Sequence, residues 1–162
     1  MRNLTAEEIE SKLPKLRSGN YKRSSDATPR YNCMAFANND ERHWWEAGLF
    51  GGRFYWPDKI SDTLEGWVEI FLKDGYELTD NPDVEPGFKK VAIYVDLQDM
   101  QPGHVAFSDG TTWKSKLGKS MDIEHASIHL LEGDQQWEYG IVERLLRRPV
   151  KNKAPRTKAL RS

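Results

Sequence analysis

HVAFSDGTTWKSK, residues 104–116, reads as two strands joined by a tight turn. His104 to Ser108 is apolar at its centre, Asp109-Gly110 is the strongest short hairpin signal available, and Thr111 to Lys116 returns. With Asp109 and Gly110 as the two central residues, Ser108 faces Thr111, and counting outward sets Ser115 opposite His104 on one face. Upstream, Lys89 to Asp96 is dense in β-branched residues and bounded by turn signals, so it is a further strand. Downstream, the pattern of Tyr139 to Leu146 fits helix or strand, but its place after a glycine and before Arg147-Arg148-Pro149 favours a last strand.

The N-terminal half reads differently. Thr5 and Glu8 fit a capping box, with Leu4 and Ile9 as its hydrophobic staple, and Pro14 ends the helix they open. Lys15 to Asp26, rich in Ser, Lys, Arg and Gly, reads as a loop. Leu64, Trp67, Val68, Phe71 and Leu72 recur at helical spacing behind an Asp62 to Glu65 capping pair, and Gly75 stands where a helix ends. The expectation is an α+β fold: helices of the N-terminal half on one side of a mainly antiparallel sheet of four or five strands built after Lys89. Lys119 to His125 reads as a short helix or turn after the sheet edge.

Charge is nearly balanced, with 24 Lys and Arg against 25 Asp and Glu, which gives no reason to expect nucleic acid as a partner. Six Trp, six Tyr and six Phe supply the bulk that a disordered chain lacks. Residues 1–150 are expected to form one domain, and residues 151–162, KNKAPRTKALRS, a basic and disordered tail. No stretch has transmembrane length or signal-peptide character, so the expected location is cytoplasmic, with signal-less export left open, and no membrane partner is expected. The single cysteine excludes an internal disulfide and a multi-cysteine zinc site.

That cysteine lies in TPRYNCMAFANN, residues 28–39. Asn32 is a candidate N-cap and Cys33 the first residue of a helix expected to run on to Glu46. Unpaired N–H groups and the helix dipole at such a position favour a thiolate, so the thiol is expected to ionise more easily than a free one. The bland alternative is a small buried hydrophobe. A base to partner it is available in His104, which opens a strand after Pro102-Gly103.

A helix-start cysteine followed by a strand-start histidine resembles the papain-like thiol hydrolases, especially their bacterial cell-wall endopeptidase and transglutaminase-like branches. The likeness spans about Tyr31 to Pro149 and is carried by the Cys and His segments and the hairpin. The pieces NCMAFA, HVAF, DGTTWKSKLG and DIEH also resemble a small bacterial domain family of unassigned function. The resemblance implies a papain-like fold, Cys33 as nucleophile, His104 as base and a third polar group that orients the imidazole. Asp122 and Ser115 are the leading candidates for that group, Asp122 ahead for its charge, with His125 a third. The oxyanion would be held by the N–H of Cys33 and by one further donor, such as the Asn32 side chain.

Trp44, Trp45, Tyr55, Trp56 and Trp113 are candidate substrate walls, because rigid aromatic faces grip peptides or sugars at low entropy cost. Asp122, His125 and His129 share helical spacing, but they lack a metalloprotease signature; neither a metal nor a cofactor is expected. The expected activity is cysteine-dependent hydrolysis or transfer of an amide, on a peptide or protein substrate, by a peptidase, amidase or deamidase. The alternative is a non-catalytic binding or immunity-type module that uses the aromatic loop 50–56. Oligomeric state is not legible.

Overall fold

A computed structural model describes residues 2–48 and 54–150. Within them, α1 (Ala6–Lys12), α2 (Cys33–Ala37) and α3 (Leu64–Lys73) accompany seven strands. These are β1 (Tyr21–Ser25), β2 (Glu77–Thr79), β3 (Phe88–Val95), β4 (Pro102–Ser108), β5 (Trp113–Lys116), β6 (Asp122–His125) and β7 (Ile141–Pro149). All lie in one sheet of order β1-β6-β5-β4-β3-β7-β2, and every pairing is antiparallel. The α+β class is as expected, but the sheet has seven strands rather than four or five.

The additional strands are those whose sequences carry no apolar alternation. β1, YKRSS, pairs as an edge strand with β6 and needs no apolar face on its solvent side, so its polar run had read as a loop. β6, whose sequence suggests a helix or turn, is a strand held between β1 and β5. β2 is three residues long, too short for periodicity to show. β1 and β2 also come from the chain before Lys89, where no strand was expected.

The helices do not share one side. Ile9 and Leu13 of the α1 region pack with Ala92, Tyr94, Ala106, Trp113 and Ile123. Met34 and Ala37 of α2 and Trp67, Val68 and Phe71 of α3 pack with Val91, Ile93, Val105 and Leu146 on the opposite face. Because side chains alternate along a strand, this double covering requires apolar residues at every position of Val91–Val95, all of them buried.

Local signals hold where the chemistry is short-range. Thr5 and Glu8 make both bonds of the capping box. At α3 the cap is Thr63, whose hydroxyl accepts from Gly66 N at 3.1 Å, while Asp62 instead receives the Trp67 indole N–H at 2.8 Å. Gly75 follows α3 with φ 90°, the left-handed conformation expected of a C′ glycine.

The β4–β5 hairpin is wider than a two-residue turn. Ser108 pairs with Trp113 and Phe107 with Lys114, leaving Asp109 to Thr112 as a four-residue loop. Asp109 Oδ1 accepts from both Thr111 N (3.1 Å) and Thr111 Oγ1 (2.7 Å), which closes a side-chain turn and lengthens the loop. The register therefore moves by two residues, so that counting outward from the turn no longer sets Ser115 opposite His104. An even shift leaves each side chain on its original face. Ser115 and His104 remain neighbours.

Candidate active site

α2 is a single turn and a half, ending at Ala37 rather than Glu46, because Asn38 and Asn39 leave the helical path and Asn39 has φ 64°. Its N-cap is Asn32, whose Oδ1 accepts from Ala35 N at 3.2 Å and also from Trp45 N at 3.2 Å. Asn32 Nδ2 donates to Trp45 O at 2.7 Å, so one side chain caps the helix and ties down the aromatic segment after it. Cys33 is the first helical residue and is partly buried.

The helix contacts both β4 and β5, which are paired only at Phe107 and Ser108 although β4 begins at Pro102. α2 thus stands where the two strands part. Burial pushes the Cys33 thiol up to about 11, while the backbone N–H groups of Val105, Met34 and Cys33 itself, together with the Lys116 ammonium, act to lower it. The expected easy ionisation is therefore reversed: a five-residue helix contributes little dipole, and desolvation of the thiolate outweighs it.

His104 is buried at 1% exposure, with its ring stacked on Tyr139 at 4.0 Å and 11° and tilted against Tyr94 at 5.2 Å. Its Nε2 lies 3.0 Å from Ser115 Oγ, Ser115 Oγ lies 2.8 Å from His125 Nε2, and His125 Nδ1 lies 3.0 Å from Ser127 O. Burial depresses both imidazoles, His104 to about 3 and His125 to about 4, so both are neutral near pH 7.

Neutrality fixes every proton in that chain. A carbonyl only accepts, so His125 Nδ1 donates to Ser127 O and His125 Nε2 carries the lone pair. The Ser115 hydroxyl then donates to His125 Nε2 and accepts from His104 Nε2–H. His104 is left with an unprotonated Nδ1, the nitrogen that can take up a proton. No hydrogen bond joins His104 to the Cys33 thiol among the described residues.

Asp122 does not orient this imidazole. Its carboxylate is 3% exposed, and Oδ2 accepts from Ser25 Oγ and Tyr31 OH, both at 2.6 Å, while Oδ1 has no partner among the described residues. Asp122 is cross-strand from Lys116, and side chains alternate along β5, so neither shares the face of Ser115. Lys116 itself is fully buried, with Nζ on the carbonyls of Thr28 (2.8 Å), Gly118 (2.6 Å) and Ser120 (2.7 Å). Burial lowers it to about 8, against the pull of Asp122 and Cys33.

Sequence reasoning missed Lys116 and Tyr139. The signal for Lys116 was its place in a strand between two buried neighbours; for Tyr139, only its position before a glycine.

Of the aromatic candidates, Trp45 and Trp56 pack against the same cluster as Cys33. Tyr55 lies edge-on to Trp45 at 4.7 Å, and Trp44 is tilted to Phe54 at 6.3 Å. Trp113 is a correction: at 1% exposure it belongs to the core on the α1 side and offers no surface to a substrate. Residues 50–53 of the aromatic loop and the basic tail 151–162 lie outside the described residues. His129, once grouped with Asp122 and His125, is exposed and pairs with Glu132 at 2.7 Å.

Fold and site together define an α+β domain whose antiparallel sheet buries a serine-linked histidine pair and receives a cysteine-bearing helix where two strands part. Residues 22–147 match the model of a family described as a domain of unknown function (DUF7689), and the chain belongs to that family. The match runs from β1 into β7 and so includes Cys33, His104, Ser115 and His125. No curated protein and no solved structure matches the chain.

Proposed function

We propose that this protein is a cysteine-dependent amide hydrolase or transferase of papain-like arrangement, with Cys33 as nucleophile and His104 as its base. The observation that supports it is the hydrogen-bonded series His104, Ser115, His125, Ser127 O, which leaves His104 neutral with its lone pair on Nδ1. A packing role needs no such ordering, and burying two imidazoles has a cost that apolar residues would avoid. At rest the centre is a neutral thiol, its sulfur at the backbone N–H of Val105, the residue after His104, and a neutral imidazole that it reaches at the opening between β4 and β5. The Cys33 proton passes to His104 Nδ1 as sulfur attacks the amide carbon, and the oxyanion takes hydrogen bonds from N–H groups at the start of α2. The imidazolium returns that proton to the departing amine, and water or a second amine then releases the thioester. Ser115 orients His104 and His125 orients Ser115. The substrate is a peptide or protein amide, with Trp45 and Trp56, which pack against the same cluster as Cys33, as candidate walls.

The test is acylation. Wild type incubated with p-nitrophenyl acetate and a panel of peptide p-nitroanilides should carry an acyl adduct on Cys33 by intact mass and release nitroaniline. Cys33→Ala and His104→Gln should do neither, with Cys33→Ala keeping the wild-type urea midpoint. Turnover that survives Cys33→Ala would sink the proposal.

A second reading, a binding module that presents the aromatic segment around Tyr55, is favoured by the Tyr139 ring lying over His104 and by the raised thiol. It expects no acyl adduct in any variant.

A further inference from the structure

Beside the candidate centre, on the α1 side of the sheet, is a cavity of about 490 Å³. Its walls are largely apolar, formed by Leu13, Leu117, Trp137 and Tyr139 among others. Trp137, a large apolar side chain of the lining, is 54% exposed. Two lysines stand at this cavity: Lys12, with Nζ 3.9 Å from the Trp137 ring centroid, and Lys119. Neither has an ion-pair partner among the described residues. The one carboxylate in the lining, Glu138, turns Oε1 back to accept Gln135 N at 3.1 Å. Tyr139 is also part of the lining, and its ring is the one stacked on His104.

We infer that this cavity binds a hydrophobic residue bearing a free carboxylate, the C-terminal residue of a peptide. An apolar pocket with two ammonium groups that make no ion pair among the described residues complements a ligand of apolar body and anionic end, and the Trp137 face away from Lys12 offers a flat surface for an aromatic or branched side chain. The volume lies within the range of ligand pockets, about 300–1,000 Å³. The carboxylate is held between Lys12 and Lys119, and the side chain lies along Trp137 toward Tyr139. The inference rests on the cavity and its charges, not on the reactivity of Cys33.

The experiment uses the Cys33→Ala protein, so that failure of the catalytic reading leaves this one standing. N-acetyl-L-phenylalanine, its primary amide, N-acetylglycine and octanoate are titrated in turn while amide and indole resonances are followed. The free acid should saturate, shifting the Trp137 indole and Tyr139 signals, with the primary amide and N-acetylglycine each weaker by about tenfold or more. Lys12→Met and Trp137→Ala should each weaken the free acid by roughly that factor while keeping the parent spectrum elsewhere. Equal binding of acid and amide, octanoate binding as tightly as the amino-acid derivative, or shifts that avoid Trp137 would each overturn the assignment.

Discussion

Ser115 is the one residue through which both buried imidazoles are held, because its hydroxyl donates to one and accepts from the other. Alanine there removes both bonds and lets the His104 ring take either tautomer. Ser115→Ala should therefore lower turnover by about one to four powers of ten, as loss of an orienting group does in triad enzymes. Ser115→Thr, which keeps the hydroxyl, should recover most of it. Asp122→Asn should act on stability instead: its amide oxygen can keep the Ser25 and Tyr31 hydroxyls at the Oδ2 position, but its NH2 then falls at the buried, partnerless Oδ1 position as an unsatisfied donor, at about 1–3 kcal/mol, read as a lower urea midpoint with turnover per folded molecule retained. If Asp122→Asn were the variant that lost turnover while Ser115→Ala kept it, the relay would have no role. The sequence placed His104 and Ser115 on one face, yet ranked Asp122 above Ser115 for its charge. Charge was the wrong guide, because alternation along β5 and β6 turns Asp122 to the other side of the sheet.

At the scale of elements, most of what the sequence disclosed came from interactions that close within a few residues. The Thr5 capping box, the α3 stripe and Gly75 are of this kind, and each is present. What stayed hidden depends on partners distant in sequence: β1 is a strand only because β6 lies beside it, and the segment around Trp45 is tied back to Asn32 instead of continuing α2. The loop before β7 is also set by a long-range constraint, at Gly140. Its φ is 78°, and a Cβ there would lie 1.9 Å from Val95 O, a backbone atom that cannot step aside. Gly140→Ala should cost on the order of 3 kcal/mol, combining a left-handed alanine with a backbone clash, and should lift Tyr139 off His104. The matched control is Gly75→Ala, where φ is 90° but nothing lies within 4 Å; about 1 kcal/mol is expected there. Chemical denaturation gives both costs, and the ring-current shift of the His104 protons reports the stacking. Equal costs at the two glycines would mean that the Val95 contact does not constrain the loop.

For the molecule as a whole, the sheet's two covered faces have different chemistry, and this governs its response to acid. The face toward α1 carries the two neutral histidines; the face toward α2 carries Asp122 and the Lys116 ammonium with its carbonyls. In the unfolded chain each histidine titrates near 6.5, whereas in the fold His104 is held to about 3 and His125 to about 4. Between those values the unfolded chain binds more protons, so stability rises with pH. The sign is therefore fixed: stability is fully present above pH 6.5 and is lost as pH falls toward 4. The depressed carboxylates, Glu8, Glu85, Asp40 and Asp109, are ionised in both states above about pH 5 and do not contribute in the upper part of this window. From pH 7 to pH 5 the fold should lose on the order of 2 kcal/mol for each histidine, an upper figure since the two are coupled through Ser115. Urea midpoints at half-unit intervals measure this slope directly. His125→Gln should remove about half of it at some cost in stability at pH 7. A wild-type profile flat from pH 7 to 5 would mean that the imidazoles are reached by water, and the single-tautomer relay would fall with that result.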